Sequence, residues 1–60
     1  MADDTLRFVL TLPDRQRAVV VLRFYEDLSL KEIATLLDRK DATVRSDLRR
    51  ALTNLRKALT

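Results

Sequence analysis

Arginine side chains are concentrated on one predicted helix near the C-terminal end of the chain. The apolar residues of this helix recur at helical spacing and cluster on one face of a helical wheel; they are Val44, Leu48, Ala51, Leu52, Leu55 and Leu59. Arg45 and Arg49 lie outside that face, one and two turns after the helix begins, and Ser46 lies close to the same end. Arginine pairs bidentately with guanine O6 and N7. We predict that Arg45 and Arg49 contact the base edges of a nucleic acid.

Other polar side chains around this helix suit contacts with a phosphate backbone, which position a protein without reading sequence. The predicted backbone contacts are Lys31, Lys40, Thr43, Arg50 and Lys57. The alternative for each cation is a solvated face that only keeps the domain soluble.

Asp47 is a carboxylate in the same arginine-rich helix. On the wheel it falls beside Asn54, away from the centre of the polar face, and it can pair with Arg50 three residues later. We interpret Asp47 as a residue that orients an arginine or that weakly opposes the binding of phosphate.

A shorter helix precedes the arginine-rich one and is joined to it by a tight turn. Ser29 and Glu32 have the spacing of a capping box, which fixes the start of this shorter helix. The chain has no glycine, and Asp38 stands where such a turn usually has a left-handed residue. Asp41 is predicted to cap the last helix, which extends to about Leu59. Two helices joined in this way form a helix-turn-helix, whose second helix lies in the DNA major groove.

Two further helices are predicted in the first half of the chain. One covers Leu6 to about Thr11, and the other covers Pro13 to about Glu26, because proline is favoured in a first helical turn. The predicted fold is therefore all-α, a small bundle of four helices with a C-terminal helix-turn-helix.

The apolar residues of these first two helices cover more than one face. Those of the second helix spread over roughly 200° of the wheel, and Val19 falls on the opposite, polar side. A chain of 60 residues has limited capacity to bury all of them. We predict an exposed patch that contacts a protein partner, with Val20 as its most accessible member; its residues are Phe8, Leu12, Val20, Phe24 and Tyr25. The alternative is that most of these residues form the core.

The charge distribution and the amino-acid composition favour some classes of function and exclude others. Residues 1–30 carry four arginines against five acidic residues, a net charge of −1, whereas residues 31–60 carry eight lysines or arginines against four acidic residues, a net charge of +4. This asymmetry favours a polyanionic partner for the second half. Cysteine and histidine are absent, which removes thiol nucleophiles, imidazole bases and the usual zinc ligands. We expect no enzymatic activity, no cofactor or metal, no small-molecule substrate, no membrane partner and a cytoplasmic location.

Four motifs between Leu12 and Leu59 together resemble region four, the C-terminal promoter-binding domain of bacterial sigma factors, in its extracytoplasmic-function class. The motifs are LP-x-R-Q-R, LS-x-x-EIA-x-x-L, TVRS-x-L-x-RAL and LR-x-x-L. The resemblance implies four helices, the last two of which read the −35 promoter element in transcription initiation. It implies that Arg45, Ser46 and Arg49 face bases, and that Thr43 and Arg50 hold the backbone. It also implies docking on the β-subunit flap of RNA polymerase and occlusion by an anti-sigma factor.

The chain departs from the family pattern at several positions. Glycine is common where Asp27, Asp38 and Ala42 stand, and arginine is common where Asp47 stands, which bears on DNA affinity and sequence preference. Nothing resembles the promoter-opening region two, so we expect residues 1–60 to be one domain from a longer sigma factor. Two alternatives remain open: a sigma-like module that mainly binds proteins, and the helix-turn-helix of response regulators.

Overall fold

The structure, a computed structural model, describes the backbone of residues 3–59 and the side chains of residues 5–59. This part of the chain contains no β-strand and folds into four α-helices with one π-helical turn. In chain order they are α1 (Asp3–Leu10), α2 (Asp14–Val20), the π-helical turn (Val21–Tyr25), α3 (Leu30–Leu37) and α4 (Asp41–Leu59). The predicted all-α class is confirmed, although α1 begins three residues earlier than predicted. None of the described helices is both long enough and apolar enough to cross a membrane.

The second predicted helix is divided into an α-helical and a π-helical part. It begins one residue later than predicted, because Pro13 is the N-cap and its carbonyl accepts a hydrogen bond from the Arg17 N–H at 2.8 Å. After Val20 the helix widens, and the Glu26 N–H donates to the Val21 carbonyl at 3.1 Å, a bond that spans five residues. Asp27 then adopts a left-handed conformation with φ of 60°. A pattern of apolar residues over one turn does not distinguish the two helix types, so the sequence predicts only a continuous helix.

Both ends of α3 match the sequence prediction. The Glu32 N–H donates to Ser29 Oγ at 3.0 Å, and the Ser29 N–H donates to Glu32 Oε1 at 2.8 Å, which completes the capping box. At the other end Asp38 is left-handed, with φ of 55° and ψ of 50°. The Arg39 N–H then donates to the Ala34 carbonyl at 2.9 Å, which closes the helix in a Schellman-type ending.

The start of α4 differs from the prediction by one residue. The Val44 N–H donates to the Lys40 carbonyl at 3.0 Å, so Lys40 occupies the capping position. Asp41 is already the first helical residue, and the prediction that it caps the helix is wrong. Its carboxylate lies in the first turn instead, where negative charge complements the helix dipole.

The core consists of two groups of buried side chains that meet at α4. The first group joins α1 and α2 to the second half of α4 and contains Val9, Leu12, Val20, Ala51 and Leu55. The second joins α2 and α3 to the first half of α4 and contains Val19, Ile33, Ala34 and Val44. Leu48 packs against both groups.

The position of α2 between these groups explains its wide apolar surface. Val19 is 0% exposed and Val20 is 2% exposed, so two consecutive residues point into different groups of the core. The prediction that Val19 lies on a polar face is therefore wrong. The prediction that Val20 is accessible is also wrong, and Leu12 is buried with it. A helix packed on two sides buries a broader arc than the single stripe expected of a surface helix.

Candidate nucleic-acid interface

Helix α4 separates buried apolar residues from exposed arginines in its first three turns. Val44 and Ala51 are fully buried. Arg45 and Arg49 are exposed one helical turn apart, and Ser46 is half-buried beside them. The structure therefore brings the three predicted base-reading residues together near the start of α4. In this arrangement a duplex groove could receive α4 without disturbing the core.

The predicted backbone-contacting residues divide into two sets. Thr43 and Arg50 lie on α4, and Lys40 lies in the capping position immediately before it. Lys31 is exposed in the first turn of α3. Lys57 is exposed near the end of α4, about 21 Å along the helix axis from Thr43 at 1.5 Å per residue. Thr43, Arg50 and Lys40 lie within five residues of the predicted base-reading set in the chain, whereas Lys31 lies on another helix and Lys57 lies farther along α4.

Asp47 is buried and does not pair with Arg50 as predicted. Its Oδ2 accepts a hydrogen bond from Arg39 Nη1 at 3.3 Å and lies 3.6 Å from Arg15 Nη2. No ion pair between Asp47 and Arg50 is present in the described part of the chain. The turn before α4 and the start of α2 both approach this side of α4, so their arginines reach the carboxylate first. The sequence does contain a signal for the burial of Asp47, because this residue lies only about 60° from the buried Val44 on the helical wheel.

A second polar contact lies beside the first on the same two helices. Asn54 Nδ2 donates to Gln16 Oε1 at 2.8 Å. Gln16 follows Arg15 in α2, and Asn54 lies two turns after Asp47 in α4. The two contacts fix the start of α2 against one flank of α4.

This flank borders an open polar pocket of about 470 Å³. We call it the flank pocket; it is lined by Arg15, Ala42, Thr43, Ser46, Asp47 and Arg50. Arg15 is the residue that the sequence analysis missed, because it lies in another helix far earlier in the chain. The motif LP-x-R-Q-R contains Arg15, but its spacing does not indicate contact with α4.

The predicted protein-partner patch is only partly exposed. Phe24 and Tyr25 are 56% and 51% exposed, and Phe8 is half-buried. Leu12 and Val20 belong to the core, as described above. The accessible part of the patch is therefore the aromatic pair of the π-helical turn.

This aromatic pair borders an apolar groove of about 280 Å³. The buried residues Val20 and Leu55 line the groove, and Leu52 adds a partly exposed side chain from α4. The Arg23 guanidinium lies 5.7 Å from the centroid of the Phe24 ring and donates to the Leu28 carbonyl at 3.3 Å. These contacts hold one edge of the groove in place while the aromatic rings remain accessible.

The chain is similar in sequence to a known protein family and to several named proteins. Residues 3–55 match the family model described as Sigma-70, region 4. The chain is 45% identical over 49 residues to the RNA polymerase sigma factor SigV of Bacillus subtilis, covering 82% of this chain and 30% of that protein. It is 48% identical over 48 residues to the RNA polymerase sigma-E factor of Streptomyces coelicolor, covering 80% and 27%. It is 41% identical over 51 residues to the ECF RNA polymerase sigma factor SigW of Bacillus subtilis, covering 85% and 27%.

The chain thus spans less than a third of the length of these three relatives. No solved structure matches it.

Proposed function

Because this chain belongs to the sigma-70 region 4 family, we propose that it is the domain of a sigma factor that binds the −35 promoter element in transcription initiation. The family match confirms the resemblance predicted from the sequence. The observation that carries the proposal is the division of α4 into a buried apolar face and an exposed face with Arg45 and Arg49 one turn apart. As a DNA-binding domain of transcription, it acts in the cytoplasm.

In this proposal the start of α4 enters the major groove, which is wide enough to admit an α-helix. Arg45 and Arg49 supply guanidinium groups for guanine O6 and N7, and Ser46 adds a hydroxyl group to one side of them on the helix. The left-handed Asp38 ends α3 and keeps the connection to α4 short. Neither arginine is needed by the core, so both are available for base edges.

Backbone contacts account for the other polar residues around the start of α4. Lys40, Thr43 and Arg50 flank the base-reading set, and Lys31 adds an exposed cation on α3. Such contacts release counterions from DNA and make the affinity fall as salt rises. The net charge of +4 on residues 31–60 supports this electrostatic contribution. Lys57 contributes at the periphery because it lies two turns beyond Arg50.

The direct test is selection of binding sites from a pool of randomised duplexes by the immobilised domain. We expect one enriched motif, and we expect its affinity to fall linearly with salt on logarithmic axes. Arg45→Ala with Arg49→Ala should abolish enrichment, whereas Arg56→Ala, which removes a charge from the same helix outside the predicted set, should retain the motif. Recovery of an unenriched pool by the folded wild-type domain would contradict the proposal.

A second function is supported by the exposed aromatic pair. We propose that Phe24 and Tyr25, with the groove beside them, dock on a protein partner. The family resemblance implies the β-subunit flap of RNA polymerase or an anti-sigma factor. An aromatic pair that is more than half exposed beside a preformed apolar groove is typical of an interaction surface.

This docking function is tested by Phe24→Glu in a pull-down with each of the two partners. Leu36→Glu is the matched control, because Leu36 is a 62% exposed apolar residue on α3 away from the groove. Phe24→Glu should lose the partner and keep its melting temperature and DNA motif, and Leu36→Glu should keep all three. Equal partner binding by both variants would exclude the groove as the docking site.

A further inference from the structure

We propose that the flank pocket binds one phosphate of the DNA backbone, with Arg15 and Arg50 as its two cationic ligands. Asp47 acts there as a positioning residue for Arg15. This inference rests on the proposed DNA binding and extends it to helix α2, which lies outside the helix-turn-helix. It identifies the chemical class of the ligand as a phosphodiester.

The pocket brings together donors from two helices. Arg15 comes from the first turn of α2 and Arg50 from the third turn of α4, and the Thr43 and Ser46 side chains also line the pocket. Guanidinium and hydroxyl groups are among the side-chain donors that bind phosphate oxygens. At about 470 Å³ the pocket is open and large enough for a backbone phosphate.

Both arginines keep donors available for a ligand. Arg50 is exposed and forms no hydrogen bond or ion pair with any described residue. The Arg15 side chain is 60% exposed, and its contact with Asp47 at 3.6 Å is longer than a hydrogen bond. A guanidinium has five N–H donors, so Arg15 can remain near Asp47 and still donate to a phosphate.

The buried carboxylate explains why Arg15 stays at the pocket. The Asp47 side chain is only 9% exposed, and burial of an ionised carboxylate requires a paired cation. Arg39, at 3.3 Å and with a side chain only 22% exposed, supplies the closer and more buried of its two ion pairs. Arg15 is the outer partner of the same Oδ2 atom and extends toward solvent.

The local charge remains favourable for an anion despite Asp47. Arg15 and Arg39 pair with the Asp47 carboxylate, and Arg50 lines the same pocket without pairing with it, which leaves a local net charge of +2. Asp14, the acidic neighbour of Arg15 in the chain, is paired with Arg17. The effect of Asp47 is therefore to hold a cation beside the recognition helix, and its own repulsion of phosphate is offset.

The test uses the 60-residue chain and a duplex obtained by the selection described above. Single phosphates of that duplex are replaced one at a time by neutral methylphosphonates. One linkage should weaken wild-type binding more than it weakens binding by Arg15→Ala, in which only Arg50 still contacts that phosphate. Arg15→Ala should also lower the slope of log affinity against log salt, by at most about 0.9, the value for complete loss of one phosphate contact. Arg15→Ala should select the same motif as the wild type. Arg15→Lys should restore most of the wild-type slope of log affinity against log salt.

Asp47→Asn separates positioning from repulsion. If Asp47 positions Arg15, Asp47→Asn should weaken binding, and the double variant with Arg15→Ala should bind no more weakly than Arg15→Ala alone. Tighter binding by Asp47→Asn, or unfolding of this variant in a thermal melt, would remove the positioning role.

Failure of this inference is distinct from failure of the proposed function. A wild-type protein that selects no motif contradicts the DNA-binding proposal itself. A wild-type protein that selects a motif, with Arg15→Ala showing the same salt slope and the same methylphosphonate profile, overturns the flank pocket alone. The matched control is Arg56→Ala, which removes the same charge outside the pocket.

Discussion

Helices α2 and α4 use their side chains in opposite ways. Helix α2 is packed on two sides, and the consecutive residues Val19 and Val20 point into different parts of the core. Helix α4 buries one face and leaves the other to exposed residues such as Arg45 and Arg49. An amphipathic pattern therefore serves packing on two sides in α2, and packing on one side with an exposed polar face in α4. Substitutions of the buried residues of α2 should affect folding, whereas substitutions on the outer face of α4 should affect binding alone.

The largest expected effect comes from a charge placed in α2. Val20 is 2% exposed, and Val20→Glu should unfold the domain. An unpaired buried charge costs about 4 kcal/mol or more, a large part of the stability of a small domain. Phe24→Glu, one turn later on an exposed side chain, should stay folded. Thermal melts followed by circular dichroism measure whether each variant is folded. A folded Val20→Glu domain would contradict the two-sided packing of α2.

A smaller effect is expected in the turn between α3 and α4. Asp38→Val should cost about 1–2 kcal/mol of unfolding free energy, because a β-branched residue is strained in the left-handed conformation. Asp38→Gly should raise the melting temperature slightly, since glycine adopts the conformation freely. Denaturant unfolding of both variants tests this. A valine variant as stable as the wild type would contradict a left-handed conformation at position 38.

The smallest effect is expected at the capping box that begins α3. A hydrogen bond from the Ser29 backbone N–H, and a further one involving its hydroxyl group, lower the pKa of the Glu32 carboxyl below its ordinary value of 4.5. A lowered folded-state pKa gives stability that is present above pH 4.5 and is lost as pH falls through the lowered value. Melting temperatures measured from pH 6 down to pH 3 should show this loss in the wild type. Glu32→Gln should lack this component, and an identical pH profile in that variant would exclude the capping carboxylate as its source.

Local signals made much of the fold predictable. The capping box at Ser29 and the left-handed Asp38 depend on hydrogen bonds within a few residues, and both were confirmed. The buried face of α4 followed only in part from helical spacing: Val44, Ala51 and Leu55 are buried as predicted, whereas Leu52 and Leu59 are exposed. These features depend on residues that are close in the sequence, so they can be predicted from the sequence of one chain.

The predictions that failed concern packing between distant segments. The burial of Val20 depends on α2 lying between α1 and α4, and the pairing of Asp47 depends on Arg15 from α2. Helical periodicity places a side chain on a face but does not determine which elements cover that face. Arg15 was missed for the same reason.

The central claim is that the outer face of α4 reads DNA bases, and Arg49→Ala tests it most directly. With the selected duplex and all its single-base variants, the wild type should discriminate at each position of the motif. Arg49→Ala should lose about 1–3 kcal/mol of binding and become tolerant at one base pair, the guanine that Arg49 contacts. Arg56→Ala should keep full discrimination. An Arg49→Ala domain that retains wild-type preference at every position would contradict the assignment of Arg49 as a base-reading residue.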